Sequence, residues 1–300
     1  MKAAVIGIGS NSVRMLMAQV GDGQFVRLMR DREGTRLFAG LDEEGNLTPE
    51  SMRKTADAVV RMVRRARENR CDCVNVFATS ASRDARNGQV FLSLLRRETG
   101  LEPEIISGEE EAALSFLGAA DLEEGRCGMV DIGGGSTELV FGTPTAMECA
   151  VSFQMGAVRL FQEYPLRCRA DMARVEEAAT AVLTEKWHTF EAPPVPDLWI
   201  GTGGTFTALG AMVRGISWTN RTQMHGTRIE REEVREIGSR LADMSLEERL
   251  KLPGLQPQRA DIVVHGICIL LALMDYFRFP VILVSEYGNL DGYMRKYYGA

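Results

Sequence analysis

The chain predicts an α/β protein built from two similar halves, and three observations carry that prediction. Short apolar strands are followed by helices, and the pattern recurs along the sequence. A strand–turn–strand segment occurs twice: Val5-Ile6-Gly7-Ile8-Gly9-Ser10-Asn11-Ser12-Val13-Arg14-Met15 aligns without a gap on Met129-Val130-Asp131-Ile132-Gly133-Gly134-Gly135-Ser136-Thr137-Glu138-Leu139. The length, 300 residues, suits one large domain or two of ordinary size.

Taken in order, residues 3–8, 13–20 and 24–30 read as a β-meander with Gly-rich turns, including Gly21-Asp22-Gly23. Thr48-Pro49 opens a helix, with Thr48 as N-cap and Pro49 at its first position. Met52, Ala56, Val59, Val63 and Ala66 give that helix one apolar face. Arg53, Lys54, Arg61, Arg64, Arg65, Arg67 and Arg70 lie on the other, as a solvated basic face or, less favoured, a track for a polyanion. Residues 74–78 form a strand, 79–85 a polar turn, 90–97 a helix and 104–106 a strand. Ser107 caps a helix reaching about Ala120, with Glu110 placed for a capping box. After the second hairpin come a helix over 175–187, a proline-rich connection over 191–197 and a strand over 198–200 entering Gly201-Thr202-Gly203-Gly204-Thr205. Helices over 232–242 and 261–276, a strand over 281–284 and a helix over 289–298 complete the chain.

Bulk properties narrow the function. The composition is 45% hydrophobic and 25% charged, ordinary for a globular protein. The net charge of −6 argues against a dedicated nucleic-acid binder. The apolar run from Ile262 to Met274 falls short of a membrane span and reads as a buried helix. No signal-peptide pattern opens the chain. The six cysteines form no zinc-type pair, and free thiols in a reducing cytoplasm are expected. Three scattered histidines do not suggest a histidine metal cluster.

The glycine loops carry the chemistry. There is no Gly-x4-Gly-Lys-[Ser/Thr] loop, and a strand rather than a helix follows Gly7-Ile8-Gly9, which excludes a dinucleotide fingerprint. Glycine-rich turns of this kind expose backbone N–H groups able to cradle a polyanion. Ordinary hairpin turns account for one such loop, but not for Asp131, Ser136, Thr137 and Glu138 around the second. Duplicated hairpins on two halves of a chain are the pattern of the actin-like ATPase (ribonuclease H-like) fold, in which two similar domains face each other across a cleft. The expected division is residues 1–120 with 286–300, and residues 121–285.

Eight ordered segments resemble the exopolyphosphatase / guanosine pentaphosphate phosphatase family in its short, two-domain form. They are Gly9-Ser10-Asn11-Ser12 with Arg14; Ala78-Thr79-Ser80-Ala81 with Arg83-Asp84-Ala85 and Asn87; Ile106 to Ala112; Val130 to Leu139; Ser152-Phe153 with Met155 to Leu160; Gly203-Gly204-Thr205; Arg259-Ala260-Asp261; and Ser285-Glu286 with Gly288. The resemblance implies hydrolysis of a terminal phosphoanhydride in inorganic polyphosphate or guanosine pentaphosphate; the net charge and the short apolar run give the expectation of no nucleic-acid or membrane partner. It implies Glu111 as general base, Arg83 as a phosphate clamp, and Asp131 and Glu138 as ligands to Mg²⁺, with Mn²⁺ as an alternative. Phosphate would be cradled by Gly9, Ser10, Asn11, Ser12 and Arg14, by Gly133, Gly134, Gly135 and Ser136, and by Gly203, Gly204 and Thr205. From the residues alone, Glu109, Glu110 and Glu111 are equivalent first-turn acids. Arg259, Asp261 and His225 match family segments without a role.

Two positions depart from the family pattern: Gly7, where an Asp is usual, and Ala113, where an Arg is usual. Gly7 motivates an alternative, a protein that binds polyphosphate or guanosine tetraphosphate without turnover. An actin-like sugar or acetate kinase is a third alternative, disfavoured by the segments between Thr79 and Ala112. A homodimer is compatible with this class.

Overall fold

The computed structural model describes residues 1–21, 23–119, 125–143, 146–190 and 195–299. Asp22 of the first expected turn, the Ala120 end of the Ser107 helix and residues 191–194 of the proline-rich connection lie outside them.

The chain divides into two units, Met1–Gly118 with Asn289–Ala300, and Ala119–Gly288. In the first, β1 (Lys2–Ile8), β2 (Ser12–Gly21) and β3 (Gln24–Gly34) form the antiparallel meander. Residues 3–6 and 8 of β1 are apolar and buried, as a central strand covered on both faces requires. Next comes α1 (Pro49–Glu68), whose N-cap Thr48 accepts the Ser51 N–H through its hydroxyl at 3.3 Å. Met52, Ala56, Val59, Val63 and Ala66 are all buried, so the four- and three-residue spacing marks the inner face. β4 (Cys73–Ala78) is followed by α2 (Ser80–Asp84), where the sequence predicts only a turn. The Thr79 carbonyl accepts from the N–H groups of both Ser82 and Arg83, and buried Ser80 and Ser82 hold the coil inside. α3 (Gly88–Thr99) ends on Gly100 at φ 70°, a left-handed cap that glycine adopts without strain. β5 (Glu104–Ile105) and α4 (Gly108–Ala119) complete this part.

The second unit repeats the plan. β6 (Cys127–Ile132), β7 (Thr137–Thr143) and β8 (Ala146–Phe153) form another antiparallel meander. Then follow α5 (Ala157–Glu163), α6 (Met172–Trp187), β9 (Leu198–Thr202), α7 (Gly204–Arg214), α8 (Arg221–Met224), β10 (Arg228–Glu230), α9 (Arg231–Asp243), α10 (Leu246–Arg249), α11 (Val263–Phe277) and β11 (Val281–Val284). The chain returns to the first unit as α12 (Asn289–Tyr298). The sheet orders are β3-β2-β1-β4-β5 and β10-β11-β9-β6-β7-β8. Apart from β10, one sheet is the other with each strand replaced by its counterpart: two antiparallel strands, the central one, then two parallel ones. The α/β class and the duplication expected from the sequence are therefore present. β8, α5 and β10 are not foreseen by the sequence reading. The outer half of β8 is exposed and does not alternate apolar with polar residues, and β10 has three residues, so neither shows a strand period.

α11 is buried from Val263 to Met274, including His265 and Gly266, and forms the centre of the second unit's core. No helix among the described residues is long and apolar enough to cross a membrane. In the first unit α12 lies against α4 so closely that a Cβ at Gly292 would stand 1.8 Å from the Leu114 carbonyl oxygen. Gly292→Ala is therefore expected to push two helix backbones apart and to cost about 1–3 kcal/mol, measured as a lowered denaturation midpoint.

Candidate active site

The two glycine hairpins close identically. The Gly9 N–H donates to the Ser12 carbonyl at 3.0 Å, and the Gly133 N–H donates to the Ser136 carbonyl at 3.0 Å. Each loop then has its carbonyls tied from behind. Ser10 O accepts from Phe38 N, and Asn11 O accepts from the N–H groups of Thr35 and Arg36. In the second loop Gly133 O accepts from Ala157 N, and Gly134 O from Val158 N and Arg159 N. The Arg159 side chain donates to Gly135 O at 2.9 Å. A trans peptide sets its N–H opposite its carbonyl. Anchoring these carbonyls therefore turns the N–H groups of Asn11, Ser12, Gly134, Gly135 and Ser136 to the other side. That is the arrangement of an anion-binding loop. The loop side chains are not all turned outward: Ser10 Oγ is hydrogen-bonded to Ser80 Oγ at 2.7 Å, both buried.

Strand register places the acids. Asp131 on β6 is directly opposite Glu138 on β7, Glu138 is opposite Ser152 on β8, and Asp131 neighbours Thr202 on β9. Paired positions share a sheet face, so these four side chains form one polar row. Ser152 Oγ donates to Glu138 Oε1 at 2.9 Å, and Glu138 is buried. Two carboxylates directly opposite each other, with Cβ atoms about 4.5–5.5 Å apart, repel. That arrangement suits a cation. Among the described residues no group of three or more His, Cys, Asp or Glu side chains comes together. A cation here would have two carboxylates and a remaining shell of water, the ligand set Mg²⁺ tolerates.

The third loop adjoins this row. Gly203 has φ 95°, and a Cβ on it would meet Asp131 Oδ1 at 2.7 Å, so glycine is required by conformation and by space. A Cβ on Gly204 would fall on the guanidinium of Arg259, whose side chain lies across the start of α7. Nothing in the sequence signals this contact. The Thr205 side chain is buried against Gly266 of α11, so only its backbone faces the loop.

In the first unit the structure separates the three acids at the start of α4. Glu110 accepts from Lys296 Nζ at 2.9 Å and Tyr297 Oη at 3.1 Å, and its N–H is capped by Ser107 Oγ. Half of the expected capping box forms, and the Glu110 side chain is drawn away to α12. Glu109 is exposed. Glu111 is 8% exposed and paired with Arg83, Nη1 to Oε2 at 3.3 Å. The same Nη1 donates to Ile106 O at 3.0 Å, while Nη2 is buried and makes no hydrogen bond among the described residues. A buried orphan donor of this kind calls for a water or a ligand atom.

Gly7 is more than a missing carboxylate. It stands opposite Arg14, as Asp131 stands opposite Glu138. A Cβ at Gly7 would meet Leu290 Cδ2 at 2.9 Å and the Phe77 ring at 3.2 Å, and Phe77 stacks on Tyr293. The side-chain direction at position 7 thus points into an apolar cluster under α12. Arg14 donates to Asn289 Oδ1 at 3.2 Å, at the first residue of α12. Ala113 is half-buried within α4.

The basic face of α1 is largely committed. Arg53 pairs with Asp57 and Glu98, Arg61 with Glu33, and Arg65 with Asp31, while Arg67 donates to Thr99 O. The six cysteines are free thiols.

Two matching α/β units, each with an anchored glycine hairpin, define the class of the protein. The Ppx/GppA phosphatase family matches residues 16–296, and the chain belongs to this family. An exopolyphosphatase 2 of Mycobacterium tuberculosis is 31% identical over 97% of this chain and 97% of its own length. A guanosine-5'-triphosphate,3'-diphosphate pyrophosphatase of Vibrio vulnificus is also 31% identical, over 91% of this chain and 54% of that protein. The crystal structure of the Aquifex aeolicus family member superposes with a TM-score of 0.82 at 28% identity, covering 99% of this chain and 97% of that one.

Lys296 holds the Glu110 carboxyl below its ordinary range, with burial opposing. A lowered folded pKa means the pair stabilises at neutral pH and the contribution is lost as pH falls through that value. Glu110→Gln should cost up to about 1 kcal/mol at pH 7, shrink toward zero in acid, and leave turnover intact; urea denaturation at both pH values measures it. Gly7→Asp should lower the melting temperature by displacing Leu290 and burying a carboxylate beside Phe77. Leu290→Ala should lower the melting temperature less in the Gly7→Asp background than in the parent, as a double-mutant cycle in the same thermal scan reads.

Proposed function

We propose that this chain hydrolyses the terminal phosphoanhydride bond of inorganic polyphosphate or guanosine pentaphosphate, assisted by Mg²⁺ or Mn²⁺. The observation that carries the reading is the Asp131–Glu138 carboxylate pair at the mouth of an anchored glycine hairpin. The relatives named for polyphosphate and guanosine polyphosphate hydrolysis support the choice of substrate.

Asp131 and Glu138 would hold the cation, which neutralises charge on phosphoryl oxygens when bound. The outward N–H groups of Asn11 and Ser12, of Gly134, Gly135 and Ser136, and of the Gly203–Thr205 loop bind phosphate oxygens, while the Gly9 and Gly133 N–H groups close the hairpins, and Arg14 adds a guanidinium to the first loop. Glu111 accepts a proton from water as the water oxygen bonds to phosphorus. The anhydride P–O bond breaks, and its electron pair leaves on the shortened chain. Arg83 fixes the Glu111 carboxylate through Nη1 and presents its remaining donors to the transferred phosphoryl group. Phosphoryl transfer needs this positioning and electrostatic help more than covalent chemistry.

Gly7 favours a second reading, a polyphosphate or guanosine tetraphosphate binder without turnover, because its place is apolar rather than acidic. Phosphate release from polyphosphate, guanosine pentaphosphate and ATP, with and without Mg²⁺, separates the two. Turnover of either of the first two substrates should fall by about 10²–10⁴-fold in Glu111→Gln, and Asp131→Asn should raise the Mg²⁺ concentration needed for half-maximal rate. Retained binding with no release from any substrate would establish the second reading, and release from ATP alone would overturn both.

A further inference from the structure

We infer that Ser152 is a positioning residue for the carboxylate of Glu138, setting the affinity of the second unit for a divalent cation. The inference rests on the proposed cation role of Asp131 and Glu138.

Three observations converge on Ser152. It lies directly opposite Glu138 in the β7–β8 register, so its hydroxyl is on the same sheet face as the carboxylate. Its Oγ donates to Glu138 Oε1 at 2.9 Å, and both residues are buried. Its own backbone is pinned: Lys186 Nζ, from α6, donates to the Ser152 carbonyl at 2.6 Å. β8 is the edge of the sheet, where a strand has unpaired carbonyls and freedom to shift. The lysine therefore holds the edge strand at the residue that touches Glu138.

The consequence follows from the row. Glu138 stands between Ser152 on β8 and Asp131 on β6. A glutamate has three rotatable bonds, and its head would turn away from a like charge directly opposite. A hydroxyl held on the β8 side takes one oxygen and limits that rotation. The carboxylate keeps one orientation relative to Asp131 before any cation arrives. Outer partners that orient a ligating carboxylate are worth about 10–100-fold in metal affinity. The first unit has no equivalent device, because Gly7 and Arg14 occupy the corresponding positions.

Mn²⁺ binding to the full-length protein, followed by isothermal titration calorimetry and by the loss of the free-ion electron paramagnetic resonance signal, tests this. Ser152→Ala should weaken Mn²⁺ about 10–100-fold, with only the modest fall in apo melting temperature that loss of one buried hydrogen bond brings. Ser152→Thr, which restores the hydroxyl on a strand-favouring residue, should recover most of the affinity, and Ser152→Cys, a weaker donor of similar size, should fall between. Glu138→Gln is the benchmark. If Glu138→Gln weakens Mn²⁺ while Ser152→Ala binds as the parent does, the positioning role is wrong and the cation role stands. If Glu138→Gln itself leaves Mn²⁺ binding unchanged, the cation role fails with it. A loss in Ser152→Ala matched by a large fall in melting temperature, and not rescued by Ser152→Thr or Ser152→Cys, would also overturn the inference.

Discussion

A single backbone hydrogen bond, from the first glycine of each loop to the carbonyl of the serine three residues on, sets what the two hairpins can do. It fixes the hairpin register. Register in turn decides which residues face each other across the strands, because a slip of one residue would send every side chain to the opposite sheet face. In the second unit that bond places Asp131 against Glu138. In the first it places Gly7 against Arg14. The same scaffold thus carries a pair of acids in one copy and a lone guanidinium in the other.

Chemical divergence of the copies is matched by packing. Around Asp131 the surroundings are polar and small: Thr202, Gly203 and the Glu138–Ser152 pair. At Gly7 the side-chain direction meets Phe77 and Leu290, with Arg14 directly opposite across the strand pair. A carboxylate at position 7 would have to displace Leu290 and lie against the Phe77 ring, with Arg14 opposite as its one charged neighbour in the register. Gly7 leaves the space that the Leu290 side chain of α12 occupies. α12 links them, since its first residue, Asn289, receives Arg14 and its Gly292 permits close approach to α4. α4 in turn carries Glu111, whose partner Arg83 comes from α2.

Much of the fold was legible in the sequence. The apolar period of α1 and its Thr48-Pro49 start, the buried α11, and the strand over Val281–Val284 emerge where the residues place them, because each rests on local propensity or on an unmistakable pattern. β8, α5 and β10 were not legible, since their residues pair or coil only where a neighbouring strand or loop satisfies them. The short helix α2 belongs with these, held by a shared carbonyl and buried serines. Of the candidate site residues, the loop glycines, Asp131 and Glu138 stand out by composition alone. Ser152 and Arg259 lie in family-like segments, but their contacts are not legible, because each reaches across the chain: a hydroxyl one strand away from Glu138, and a guanidinium laid on a glycine some fifty residues earlier.

By itself the sequence determined the α/β class, the duplication and the family, because glycine patterns, apolar periods and ordered motifs are properties of neighbours along the chain. It could not rank Glu109, Glu110 and Glu111, which are chemically identical in kind and adjacent. Tertiary structure distinguishes their surroundings: one is exposed, one is tied to Lys296 and Tyr297, and one is buried against Arg83. It also decided that the glycine at position 7 faces an apolar wall. Both decisions depend on which distant residues share a few ångströms of space, and only the folded chain brings them there.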